Sequence, residues 1–270
     1  MENQTVLETI DPEIADRIVA RSDEISQGAS ISAPLAAALA LGSVPIALAA
    51  LSKDVGAQSA SDVVDVLQFA LLLEYLEAEF YIKGTDAAGL IPAADRNIFL
   101  TLRGHEVTHY QTLRTLISAK GATPITKPTF DFTAKGAVPN PFAAGNYAVF
   151  QQLAMAFEDT GVRAYKGQAG RLINDKAILT AALTIHSVEA RHASVIRRLR
   201  GKKGWIVGNS REDLPAFTQG IYDGEQNTVH SGTDAAALGT NNGGVNAVTE
   251  AFDEPLTKEQ VTAIITPFLA

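Results

Sequence analysis

Apolar residues recur at helical spacing along four long stretches of the chain, each with its own start or stop signal. The first predicts a helix over about Ser61–Lys83, with Val63, Val66, Leu67, Ala70, Leu71 and Leu73 on its apolar side. The second runs from about Pro92 to Ala119 and closes at Gly121. The third runs from about Pro141 to Gly167, and the fourth from about Asp175 to Arg200, ending at Gly201. Proline near a helix start and glycine just past its end are the usual punctuation of helix termini. The links within the first pair and within the second pair are short. Between the pairs lies GATPITKPTFDFTAKGAVPN, too rich in Pro and Gly to be helical. Short, long, short is the connection pattern of two antiparallel hairpins joined by one crossover. The pattern predicts an all-α protein with a four-helix bundle over residues 58–203.

Two appendages flank the bundle. Residues 1–57 open with a helix signal: Asp11 as N-cap, Pro12 at the first helical position, and Ile14, Ile18 and Val19 as an apolar stripe. A run without charge follows from Ile25 to Ser52, alanine-rich and interrupted by Pro34 and Pro45. It reads either as an apolar helical arm packed on protein or as an export or membrane-contact segment centred on residues 31–51. Residues 204–270 form a loop-rich extension ending in a short helix. Thr257 caps that helix, Gln260 completes a capping box, and it stops near Pro267.

Composition narrows the chemistry. With 46% hydrophobic and 19% charged residues among 270, the chain reads as soluble and globular. A net charge of −8 argues against nucleic acid as a partner, and the densest basic run, Arg197 to Lys203, sits at a helix C-terminus where cations complement the dipole. Cysteine is absent, which excludes disulfides, iron–sulfur clusters and thiolate metal sites. Any metal must be held by carboxylate and imidazole, a set that suits iron, manganese and zinc.

The strongest signal is an internal repeat. The first bundle helix contains LLEYLEAEFY and the third AFEDTGVRAY, so Glu74 precedes Tyr81 as Glu158 precedes Tyr165. The second contains HEVTH and the fourth VEARH, each a Glu-x-x-His: Glu106 with His109, and Glu189 with His192. The halves are offset by 84 residues for the Glu–Tyr pairs and 83 for the Glu–His pairs. Residues three apart share a helix face, so a Glu and a His of one helix can grip the same region, and a Tyr two turns from a Glu lies on the same stripe. One Glu from each of two helices plus a Glu-x-x-His from each of the others is the ligand set of a di-iron or di-manganese carboxylate site. Four carboxylates nearly neutralise two divalent ions, which makes their burial tolerable. The alternative is a duplicated bundle that keeps these groups as a hydrogen-bonded network without metal.

These residues resemble the ferritin-like superfamily, which includes bacterioferritins, rubrerythrins and manganese catalases. LEYLEAEFY, the two Glu-x-x-His helices and the closing AFDEPLTKEQVTAIITPFL more narrowly resemble the ferritin-like domain family that includes desiccation-related proteins, over roughly residues 58–270. The resemblance implies two transition-metal ions, iron favoured over manganese. Glu74 and Glu158 would be single-carboxylate ligands, Glu106 and Glu189 bridging carboxylates, and His109 and His192 terminal imidazoles. Tyr81 and Tyr165 are the candidate catalytic side chains, donating electrons or hydrogen-bonding a ligand carboxylate, with half-buried packing residues as the plainer alternative. Glu77, one turn after Glu74, is either an extra ligand or, the favoured reading, a solvated surface glutamate. His186 is placed beside the site, His105 as structural or exposed, and His230 in a loop without a partner.

The implied function is an oxidoreductase acting on ferrous iron, dioxygen or peroxide in oxidative or desiccation stress, with manganese-catalase-like disproportionation as a variant. The alternative is a structural or assembly protein using the bundle as scaffold, a homo-oligomer formed through the N-terminal arm. Export or cell-envelope placement follows if the arm is a targeting segment, and a cytoplasmic one otherwise. Relatives often carry a twin-arginine signal, of which Ala20–Arg21–Ser22–Asp23 keeps one arginine, with VGAQSA as a cleavage-like stretch.

Overall fold

A computed structural model describes residues 60–237 and 244–270. The N-terminal helix signal, the uncharged arm and all but the last residue of VGAQSA lie outside the described residues. Four long helices dominate: α1 (Ala60–Asp86), α2 (Arg96–Ala119), α3 (Tyr147–Ala169) and α4 (Lys176–Leu199). Two short ones, α5 (Gly244–Thr249) and α6 (Lys258–Ile265), follow a two-residue hairpin in which β1 (Val229–His230) pairs antiparallel with β2 (Thr233–Asp234). The architecture is the all-α bundle that the periodicity predicts. Among the described residues no helix is long and apolar enough to cross a membrane.

Helix ends follow local chemistry. Asp175 caps α4 by accepting the Ile178 amide, and the chain leaves α2 and α4 through Gly121 and Gly201, both at positive φ, where other residues are strained. Two starts differ from the sequence expectation. Pro92 opens a turn rather than a helix: the amides of Asp95 and Arg96 both return to its carbonyl, and the Asp95 carboxylate accepts the Tyr147 hydroxyl instead of capping. Pro141 likewise begins a turn closed by Asn140, whose side chain accepts the Phe142 amide, and Gly145 at φ +88° delays α3 to Tyr147.

Helix α1 packs along α2, and α3 along α4. The crossover runs parallel to α1. Gln68 clamps its start by donating to the Thr123 carbonyl (2.7 Å) and accepting the Ile125 amide (2.9 Å). Further along, Lys127 pairs with Glu79, and Phe132 meets Phe80 at 5.5 Å between ring centroids. The crossover thus carries the chain back along the bundle, so α3 starts beside the end of α1. There Phe80, Phe99 and Phe150 form a buried aromatic cluster, with Phe80 and Phe150 stacked at 4.6 Å.

The C-terminal extension wraps α3. Arg163, buried in the C-terminal half of that helix, donates to the carbonyls of Ile221, Asp223 (2.9 Å) and Glu254 (2.7 Å) and pairs with Glu225 at 2.7 Å. The Thr257–Gln260 capping box forms as the sequence suggests. At the chain end the Ala270 amide bonds to the Thr129 carbonyl and Phe268 packs on Phe157, so crossover and terminus brace one another. This wrapping explains why α3 is buried on nearly every face from Leu153 to Tyr165.

The closest approach is at Gly167, where an added Cβ would lie 1.8 Å from the Leu256 carbonyl oxygen. Helix propensity alone would make Gly167→Ala stabilising by about 1 kcal/mol. Overpacking against backbone costs about 1–3 kcal/mol and wins. We expect Gly167→Ala to lower the denaturant midpoint and open the extension to proteolysis; a raised midpoint would show that the extension does not seat on α3.

Candidate metal centre

Each long helix delivers its predicted residues to one buried place midway along the bundle. Glu74 comes from α1, Glu106 and His109 from α2, Glu158 from α3, and Glu189 and His192 from α4. The four glutamates are fully buried and the two histidines nearly so. Their ligand atoms fall into two groups, each with all atoms within 4.8 Å of one another: Glu74, Glu106, His109 and Glu189, and Glu106, Glu158, Glu189 and His192. Glu106 and Glu189 belong to both. Nδ1 of His109 lies 3.3 Å from Glu74, 3.1 Å from Glu106 and 3.2 Å from Glu189. Nδ1 of His192 lies 2.8 Å from Glu106 and 3.3 Å from Glu158.

Proximity here is not satisfaction. Oε2 of Glu74, Oε1 of Glu106, Oε2 of Glu158, both oxygens of Glu189 and Nδ1 of His192 are buried without a directed hydrogen bond. Buried acceptors are nearly always partnered, and leaving one bare costs about 1–3 kcal/mol. So many in one place, all within 4.8 Å of one another in each group, is what cation ligands look like. The residues present therefore fit a pair of metal ions.

The tyrosines cross between the hairpins. The Tyr81 hydroxyl of α1 donates to Oε1 of Glu158 on α3, and the Tyr165 hydroxyl of α3 donates to Oε1 of Glu74 on α1 (2.5 Å). Each phenol occupies one carboxylate oxygen and leaves the other, the unpartnered Oε2, facing the cluster. Burial, reinforced by the facing carboxylate, pushes both phenols well above their ordinary range, so they stay protonated donors.

The protonation pattern shows the cost of so many acids. Burial raises Glu74 to about 8 against the opposing pull of His109. Burial and the charges of Glu106 and Glu74 push Glu189 well above its usual value. Glu106 goes the other way: burial would raise it, but contacts with both imidazoles hold it at about 2. For His192, burial would lower the ring, and the charge of Glu158 with the approach of Glu106 overcomes it, to about 11. His109 is raised in the same sense by Glu106, Glu189 and Glu74.

Glu77 and His230 differ from expectation, while His105 is exposed as expected and makes a contact that spacing does not foresee. Glu77 is no solvated surface glutamate: it is 3% exposed, and burial plus the charge of Glu189 drives its carboxyl well upward. Neither four-residue group includes it. It fits because the facing residue is Gly161, where a Cβ would stand 2.7 Å from Oε2 of Glu189 and 3.2 Å from Oε1 of Glu77. His105, exposed as a residue, nevertheless meets His192 edge to edge, Nδ1 to Nε2. His230 has partners, Phe252 stacked at 3.6 Å and Glu254 at 3.6 Å. The groups that act on His186 are Lys166, Asp253 and the Val162 backbone, none of them among the six. Beside Glu158 sits a buried clamp with no signature in the residue spacing: Arg197 of α4 grips both oxygens of Asp159 (3.0 and 2.6 Å), and Tyr222 of the extension donates to the same carboxylate (2.7 Å).

A group whose pKa rises on folding stabilises the fold in its protonated form, and that contribution is lost as pH climbs to the folded value. Glu74 rises from 4.5 to about 8 and His192 from 6.5 to about 11, so both contributions decline together between pH 6.5 and 8. Metal binding runs oppositely, because ligands must shed protons to bind. We expect the denaturant midpoint of chelator-treated protein to fall across this window and saturating Mn2+ to flatten or reverse the trend. A pH-independent midpoint for the metal-free protein would contradict the buried cluster.

Compared with known proteins, residues 62–202, just over half of the chain, match the model of a family described as a ferritin-like domain. No curated protein matches the chain. The matched span begins in α1, ends just past α4, and so contains all six clustered residues and both tyrosines. The chain belongs to the ferritin-like domain family.

Proposed function

We propose that the chain is a di-metal oxidoreductase that oxidises ferrous iron or consumes peroxide. The observation that carries it is the set of unpartnered carboxylate oxygens converging from four helices, with two carboxylates shared between the groups. Glu74, Glu106, His109 and Glu189 would hold one ion, and Glu106, Glu158, Glu189 and His192 the other. Bound there, two redox-active ions supply electron transfer to a small oxygen species. With peroxide, two ferrous ions as substrate give up two electrons, and one hydrogen peroxide with two protons leaves as two waters.

The chain's own residues hold the ligands in register and keep water out. Tyr81 and Tyr165 fix the outer carboxylates by their Oε1 atoms, so that Oε2 of each is the free ligand atom. As buried phenols hydrogen-bonded to carboxylates of the cluster they are also side chains able to surrender an electron and a proton. The aromatic cluster of Phe80, Phe99 and Phe150 keeps the Tyr81 side dry. Oxidative or drying stress is the setting that the family resemblance implies.

The test strips the full-length protein of metal and reloads it with Fe2+ or Mn2+ without oxygen. Elemental analysis is expected to give two ions per chain, and stopped-flow mixing with dioxygen or hydrogen peroxide to show turnover. Glu189→Ala should lose more than one ion, because that carboxylate serves both groups. Tyr81→Phe should keep the metal and slow turnover by about 10–100-fold, the usual cost of removing a ligand's hydrogen-bond partner. A fully loaded protein that consumes neither oxidant sinks the proposal.

A further inference from the structure

The two hairpins repeat one another, yet two departures fall beside the centre. At the 84-residue offset, Glu77 corresponds to Gly161; at the 83-residue offset, His105 corresponds to Val188. The first departure gives space, since the missing side chain at Gly161 leaves room for the carboxylates of Glu77 and Glu189. The second gives a contact that only one half possesses. Nδ1 of His105, on α2, lies 2.9 Å from Nε2 of His192, on α4, with ring centroids 5.2 Å apart and planes within 12° of one another, the arrangement of an in-plane hydrogen bond. Val188 has no polar side-chain atom to offer His109.

The consequence follows from imidazole chemistry. Nδ1 of His192 faces Glu106 and Glu158, so it is the atom that would bind metal, and it can do so only when the ring proton sits on Nε2. An acceptor at His105 Nδ1 holds the proton there and fixes the ring plane. His109 presents its Nδ1 to the cluster in the same way without an equivalent brace.

We propose that His105 is a positioning residue for His192, and that it makes the His192 half of the centre bind its ion more tightly than the His109 half. This rests on the metal-centre function proposed above. Outer partners of ligand histidines are worth about 10–100-fold in metal affinity.

The experiment titrates the metal-free full-length protein with Co2+, read by visible absorption and calorimetry. Wild type is expected to fill in two steps. His105→Ala should weaken the tighter step by about 10–100-fold, leaving the weaker step and the thermal midpoint in place. His105→Asn, whose Oδ1 can stand in for the lost acceptor, should recover most of that affinity. The proposal is overturned if His105→Ala leaves both steps unchanged, weakens both equally, or is not rescued by His105→Asn. Wild type that takes up no Co2+ overturns the metal centre itself, a result distinct from two-step binding that ignores His105.

Discussion

Five carboxylates, those of Glu74, Glu77, Glu106, Glu158 and Glu189, lie in the dry middle of this bundle, and that concentration of negative charge is the constraint everything else answers to. Two imidazoles can carry two positive charges, which leaves at least three acids either protonated or facing a cation. The split protonation of the cluster, with Glu106 low and Glu74, Glu77 and Glu189 high, is how a metal-free chain divides the difference. It is a compromise, since several oxygens remain without hydrogen-bond partners. Cations held there would remove the conflict, so the crowding of acids is also what would give the cluster its affinity for metal.

Holding such a cluster dry needs more than four helices. A bare bundle exposes the outer face of every rod, yet α3 is buried from Leu153 to Tyr165 on nearly all sides. The crossover and the C-terminal extension supply the missing cover, one strapped to α1 through Gln68, the other to α3 through Arg163. The clamp of Arg197 and Tyr222 on Asp159 sits one residue from Glu158, and ties α3, α4 and the extension together where a ligand must not wander. The extension thereby belongs to the packing that supports the centre.

What was legible in the sequence follows from which interactions are local. The bundle, its connection pattern, the six converging residues and the capping box could be read because each depends on spacing within one helix and on a repeat between two. The late starts of α2 and α3 were missed because Asp95 and Asn140 spend their side chains on Tyr147 and on a turn, contacts that punctuation rules do not foresee. Glu77 was misjudged for a stronger reason. On its own helix it looks like any exposed acid, and its burial is decided by an absent side chain, Gly161, on another. His105 reads as structural or exposed because it lies about 100° away from Glu106 around α2. That direction is where α4 brings His192. In both cases the useful signal was a break in the repeat, which marks where the halves have taken different duties.

The tyrosines show why those halves are not independent modules. Tyr81 holds Glu158 and Tyr165 holds Glu74, so each hairpin's carboxylate is oriented by the other hairpin's phenol. The shared glutamates repeat the rule: Glu106 of α2 reaches His192 of α4, and Glu189 of α4 reaches His109 of α2. A single hairpin would keep its own imidazole, His109 beside Glu74 and Glu106 or His192 beside Glu158, but would lose the phenol that orients its outer carboxylate and the second imidazole that offsets its charge. The centre can therefore exist only once both hairpins have docked. Its ligand geometry is then set by the packing of α1 and α2 against α3 and α4, and any change that shifts one hairpin on the other must disturb both groups at once.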